Sequence, residues 1–150
     1  MNEKQKILII EDDHDLIEAF SLILKSRKYQ IVRAYNTETG VKMIKQEKPD
    51  LVILDVMFGS KGKTKGFDLA VKVRQDKSMA KVPILMLTSV NEAYPGFDFS
   101  PDTDEEFLPV DEFINKPAQP DELAEKVEKL LKAKTSKWAN WPNRKEIDLD

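Results

Sequence analysis

Four short apolar runs, Ile7 to Ile10, Ile31 to Ala34, Leu51 to Leu54 and Val82 to Leu87, limit what this chain can fold into. They are rich in Ile, Val and Leu and lack regular polar alternation, the pattern of parallel strands covered on both faces. A weaker fifth run, Glu112 to Asn115, has the same character. Between the runs the period changes. Leu16, Ile17, Phe20, Ile23 and Leu24 make one apolar stripe of a helix, with Asp12 or Asp13 placed to cap it. Val41 and Ile44 mark a shorter helix after Asn36 and Thr37, and Leu69, Ala70 and Val73 a third. Leu123, Val127, Leu130 and Leu131 repeat the stripe near the end, with Pro120 suited to the first helical position. Strands alternating with helices specify an α/β fold, a doubly wound five-stranded parallel sheet with right-handed crossovers and helices on both faces. Ligands of such sheets bind beyond the carboxyl ends of the strands.

Composition removes several functions. A chain of 150 residues, 41% hydrophobic and 34% charged, can bury a core as one domain without staples. The formal charge of −3 argues against broad nucleic-acid binding, though not against a small local basic patch. With no cysteine, thiol catalysis and thiolate metal sites are absent, and the lone His14 leaves little basis for a Ser–His–Asp arrangement. Residues 1–6 are polar and unlike a signal peptide, and no apolar run approaches the roughly 18 residues of a membrane span. A cytoplasmic protein with no nucleic-acid or membrane partner is expected.

Two stretches break the alternation. Gly59 to Gly66 (GSKGKTKG) reads as a lysine-bearing flexible loop, and Asn91 to Asp111, with three prolines and many acids, shows no helical stripe. An irregular or missing fourth helix is expected there. Thr135 to Asp150 reads as a tail carrying Trp138 and Trp141, which are expected to pack back on the domain.

The strand ends carry the chemistry. Strand one ends in Glu11, Asp12 and Asp13, strand three in Asp55, strand four in Thr88 and Ser89, and strand five in Lys116 before Pro117. Carboxylates crowded on one edge repel, and a hard divalent cation such as Mg²⁺ relieves that. A carboxylate can also attack phosphorus to give an aspartyl phosphate. Mg²⁺, the Lys116 ammonium and the Thr88 hydroxyl would each neutralise an oxygen of the transferring group. The constellation suits a phosphoryl acceptor. Each residue alone has a plainer explanation: Asp12 and Asp13 as helix caps, Thr88 as an ordinary strand residue, Phe113 as core.

ILIIEDD at 7–13, DLVILDV at 50–56, PILMLTS at 83–89 and FINKP at 113–117 together resemble the receiver domains of response regulators in two-component signalling, of the stand-alone, chemotaxis-regulator-like kind. The resemblance covers roughly residues 5–133 and implies a flavodoxin-like sheet of strand order 2-1-3-4-5. It implies that Asp12 and Asp13 bind Mg²⁺ together with Asp55 and the Met57 backbone carbonyl. By the same resemblance Asp55 is the phosphorylated residue, Thr88 the switch hydroxyl, Lys116 the phosphate-binding lysine and Phe113 the switch aromatic. The Lys116–Pro117 bond should be cis. A histidine kinase or phosphotransfer protein would donate the phosphoryl group, and a downstream protein or a second copy in a homodimer would read the result. Such a domain catalyses only its own phosphorylation and dephosphorylation.

Residues 1–133 are thus expected as the receiver domain and 134–150 as a tail without a separate output domain. The lysine-bearing insertion after Asp55 and the long segment between Thr88 and Lys116 depart from the family pattern, so the surface that partners read should differ. Apolar Met57 and Val90 flank the site where polar residues would orient a water, so slow loss of the phosphoryl group is expected. Rival functions are a phosphorylation-independent adaptor of the same fold, an aspartate-nucleophile phosphatase and, further off for want of a glycine-rich phosphate loop, a nucleotide-binding flavodoxin-like protein. The phosphatase is disfavoured because its DxD pattern would follow strand one.

Overall fold

The computed structural model describes residues 4–55, 65–88 and 110–133, with backbone alone at 65–67 and 88. Five strands form one parallel sheet: β1 (Lys6–Ile10), β2 (Gln30–Ala34), β3 (Leu51–Asp55), β4 (Ile84–Thr88) and β5 (Glu112–Asn115), in the order β2-β1-β3-β4-β5. Four helices accompany them among the described residues: α1 (His14–Ser26), α2 (Thr37–Glu47), α3 (Lys65–Gln75) and α4 (Pro120–Ala133). The sheet is therefore the doubly wound parallel one that the alternation of periods predicts, in the flavodoxin-like order that the resemblance implies. Residues 91–109, where an irregular or missing helix is expected, and the tail from 134 onward lie outside the described residues.

Side-chain alternation along the strands sorts the core into two layers. Leu8, Ile10, Val52, Leu54, Ile84 and Met86 face one side, where they meet Ile44 of α2 and Leu69, Ala70 and Val73 of α3. Ile7, Ile9, Leu51, Ile53, Leu85 and Leu87 face the other and meet Ile17, Phe20 and Leu24 of α1 and Leu123 and Val127 of α4. Both faces of β1 and β3 are covered, which is why these strands read as unbroken apolar runs. Each fully buried side chain of this size contributes roughly 2 kcal/mol, so the two layers dominate the stability of the fold.

Helix ends follow local chemistry. Asp13 caps α1, its Oδ1 accepting from the N–H groups of Asp15 and Leu16 at 3.0 and 3.2 Å. Asn36 caps α2 by accepting from the Thr39 N–H at 2.7 Å. Two boundaries differ from the sequence expectation. Val82 and Pro83 precede β4 because the Val82 N–H turns back to the Met79 carbonyl, and Pro83 has no N–H to give a ladder. Lys65 and Gly66, expected as loop, already belong to α3.

At Gly40, α2 lies close against Ile10 of β1. A Cβ there would lie 2.8 Å from Ile10 Cδ1 and 3.1 Å from its Cγ2. A side chain there would require Ile10 to shift.

Candidate functional site

Register brings the strand ends together. Ile10 pairs with Leu54, so β1 and β3 end side by side, with Glu11 just beyond the one and Asp55 closing the other. Lys116 follows β5, two strands away from β3 and so about 9.6 Å distant in the sheet. A long side chain spans that gap: Lys116 Nζ donates to Asp55 Oδ2 at 2.9 Å and lies 3.6 Å from Glu11 Oε1. The second distance is too long for a hydrogen bond but keeps a favourable attraction.

Glu11 and Asp55 are both buried, while Lys116 stays partly open to solvent. Glu11 Oε2 accepts from the Asp13 N–H at 3.1 Å, but Oε1 is buried without a hydrogen-bond partner. Burial, reinforced by the negative charge of Asp55, pushes the Glu11 carboxyl up to about 8 against the pull of Lys116. Lys116 itself is lowered by burial, yet Asp55 and Glu11 outweigh that and leave it raised.

Glu11, exposed Asp12 and Asp55 each offer a carboxylate oxygen within 4.8 Å of the other two. An all-oxygen donor set of this charge, with one buried oxygen lacking a partner, fits a hard divalent cation of the Mg²⁺ type.

The structure redistributes the acids that the sequence singled out. Asp12 joins Asp55 as expected, but Asp13 does not: its carboxylate caps α1, the plainer of its two readings, and Glu11 stands in the cluster instead. Of the expected pair, the structure thus brings Asp12 but not Asp13 into the acid cluster, and places Glu11 there beside it. The reason is geometric, since Asp13 directly precedes the helix and its oxygen meets the free N–H groups of the first turn.

Thr88 ends β4 in register with Asn115, and its side chain is not described. Met57 and Val90 lie outside the described residues. Phe113 is buried beside Met86 and Val110, while its carbonyl accepts from Lys126 Nζ at 2.6 Å. The Lys116–Pro117 bond is cis. His14, expected as an exposed first-turn residue, is exposed and stacks on Tyr35 with ring centroids 4.2 Å apart.

The sequence profile of the response regulator receiver domain matches residues 7–128. This chain belongs to the response regulator receiver family. Among curated proteins, this receiver is 32% identical over 131 residues to the "Alkaline phosphatase synthesis transcriptional regulatory protein PhoP" of Bacillus subtilis, an alignment of 85% of this chain and 49% of that protein. The chain spans about half the length of the first curated relatives it matches. Among solved structures, it is 26% identical, with a TM-score of 0.70, to the signal receiver domain of a signal transduction histidine kinase from Syntrophus aciditrophicus, covering 86% of this chain and 91% of that one. The receiver domain of sensor histidine kinase PA1611 from Pseudomonas aeruginosa shares the fold at 20% identity and a TM-score of 0.70, covering 87% of this chain and 99% of that one. That structure is described with a magnesium ion coordinated in its active-site cleft.

Two features of this receiver were not assigned from the sequence, the place of Glu11 in the acid cluster and the burial of Arg74. Glu11 carried a signal, being the first residue after four buried ones, which puts it deeper than the acids that follow. Arg74 carried another: it lies four residues after Ala70 on the buried stripe of α3. Its guanidinium is fully buried, with Nη2 2.9 Å from Asp111 Oδ2 and Nη1 donating to the Ala80 and Val82 carbonyls at 3.1 and 2.6 Å. Burial lowers Arg74 to about 10, with Asp111 opposing the shift, so it stays charged at neutral pH.

Proposed function

We propose that this receiver accepts a phosphoryl group on Asp55 from a phosphohistidine donor, a histidine kinase or phosphotransfer protein. What carries the reading is the Lys116–Asp55 contact of 2.9 Å inside a cluster of three acids. A carboxylate oxygen of Asp55 forms the new O–P bond as the donor's N–P bond breaks, and the donor nitrogen keeps the electron pair. Lys116, already beside the nucleophile, follows a phosphoryl oxygen as charge moves outward. Glu11, Asp12 and Asp55, with the Met57 carbonyl, are the groups that would hold Mg²⁺. The cation, when bound, supplies neutralisation of the phosphoryl oxygens. Support for that ion comes from the donor set here and from the magnesium described in the related Pseudomonas receiver.

Thr88 is the hydroxyl expected to close on the phosphoryl group, and Phe113 the aromatic expected to respond. The register supports that pairing, because Phe113 lies opposite Met86, two residues before Thr88. Phosphorylation then shifts an equilibrium between two conformations that a protein partner, or a second copy of this chain, reads.

The test is incubation with acetyl phosphate and Mg²⁺, followed by peptide mass analysis. Added phosphate on the Asp55 peptide, absent in Asp55→Asn, is expected. An unlabelled wild-type protein that still binds Mg²⁺ would instead favour the phosphorylation-independent adaptor.

A further inference from the structure

At the amino ends of β1 and β2, the pole of the sheet opposite the acid cluster, lies an open groove of about 910 Å³. Lys4 and Lys6 enter it from the start of β1, Lys25 from the last turn of α1, and Lys48 from the end of α2. Its four lysines outnumber its two acids, of which one is ion-paired and the other hydrogen-bonded to backbone while keeping its charge. Glu47 Oε1 accepts from Lys6 Nζ at 3.0 Å, and Asp50 Oδ2 accepts from the Lys6 N–H at 2.7 Å. Lys4, Lys25 and Lys48 are left without an ion-pair partner among the described residues. In a chain of net charge −3, this concentration of cations does not follow from composition.

Unpaired ammonium groups around one concavity repel, and a ligand with several negative charges relieves them. The groove also has an apolar wall. Tyr29, half-buried against the core layer under α1, and Ile31 both line it. Its size falls within the range of small-molecule sites, roughly 300–1,000 Å³. A bilayer or a nucleic-acid duplex would meet a broad basic face, not a hollow on an acidic protein.

We propose that this groove binds a small polyphosphorylated compound of the nucleoside di- or triphosphate class. Lys4, Lys25 and Lys48 neutralise the phosphates, and the Tyr29 ring packs against the base. The site is separate from Asp55: β1 is five residues long and runs from the groove to the acid cluster, a span of about 15 Å.

The experiment is titration of isotope-labelled protein with ATP, and separately with inorganic tripolyphosphate, in magnesium-free buffer of low ionic strength, followed by amide NMR. Saturable shifts at Lys25, Tyr29 and Lys48 are expected with both probes. The double variant K25E/K48E should weaken both by at least about tenfold, whereas K72E, outside the groove on α3, should not. Tyr29→Leu should weaken ATP and spare tripolyphosphate. Should charge reversal disturb the amide spectrum of the free protein, K25Q/K48Q takes its place. Absence of saturable shifts up to about 10 mM of either probe, or equal weakening by K72E, would overturn the site. Equal affinity for both probes would overturn its nucleoside character.

Discussion

Lys116 Nζ lies 2.9 Å from Asp55 Oδ2, although two strand spacings separate the strands that carry them. The lysine thereby holds positive charge against the one acid that ends the central strand β3, with Glu11 3.6 Å away as a second partner. Neutralising it should leave the fold intact and slow phosphoryl transfer. Lys116→Met is expected to reduce acetyl phosphate labelling of Asp55 by roughly 10²-fold, the effect of removing one preorganised electrostatic contact. A labelling rate within about threefold of the parent would exclude a role for the ammonium in the transfer.

Glu11 sets the pH dependence. Its folded carboxyl titrates at about 8 against an ordinary 4.5, so the folded state binds the extra proton between those values and the unfolded state does not. Stability in the absence of metal is fully supported below about 4.5 as far as this group goes, and falls as pH rises from there to about 8. Mg²⁺ needs the deprotonated acid, so its binding should release a proton and tighten over the same window. Denaturant midpoints with and without Mg²⁺ across this range check both statements. Glu11→Gln should flatten the metal-free profile.

Asp12 and Asp13 are adjacent in sequence yet do different work. Asp13→Ala should cost about 1 kcal/mol through loss of the α1 cap while leaving Mg²⁺ affinity nearly unchanged. Asp12→Ala should do the opposite, weakening Mg²⁺ with little effect on stability. Paired thermal melts and Mg²⁺ titrations separate the two, and equal loss of metal affinity in both variants would return Asp13 to the cation site.

The strands and the convergence of Asp12, Asp55 and Lys116 were legible because burial on both faces writes itself as unbroken apolar runs, whereas the strand order came from the resemblance to receiver domains. Any chemistry must then sit where those runs stop. Which of three consecutive acids turns inward was not legible. Glu11 and Asp13 are two residues apart, and the choice between them depends on where α1 begins, a boundary set by which N–H groups Asp13 reaches. Arg74 was hidden for a different reason: one charged residue on an apolar stripe looks like a solvated edge until Asp111, 37 residues on, is folded against it.

Gly40 tests how closely α2 must approach β1. Gly40→Ala places a methyl group within 3.2 Å of three side-chain atoms of the fully buried Ile10, which must shift to admit it. Helix propensity alone favours alanine by about 1 kcal/mol, so packing and propensity oppose each other. Packing should win, with a net destabilisation of about 1–2 kcal/mol. Ile10→Val in the same chain should recover part of the loss, read as a denaturation midpoint above that of the single variant.

Arg74 and Asp111 join three elements at once. The guanidinium ties α3 to the Ala80 and Val82 carbonyls ahead of β4, and Asp111 Oδ2 accepts from both Arg74 and the Ile84 N–H, the latter at 2.8 Å. Asp111 leads directly into β5, so the pair fixes the amino ends of β4 and β5, whose carboxyl ends carry Thr88 and Lys116. Removing one partner leaves the other buried and charged, a loss of about 3–5 kcal/mol. Arg74→Met is expected to show it in full, because Asp111 then faces an apolar side chain. Arg74→Lys should recover little, since one ammonium cannot reproduce the planar fork that reaches two carbonyls and a carboxylate. Urea denaturation of the two variants checks this. A lysine variant as stable as the parent would mean that charge alone, and not the geometry of the guanidinium, holds the ends of β4 and β5 in place.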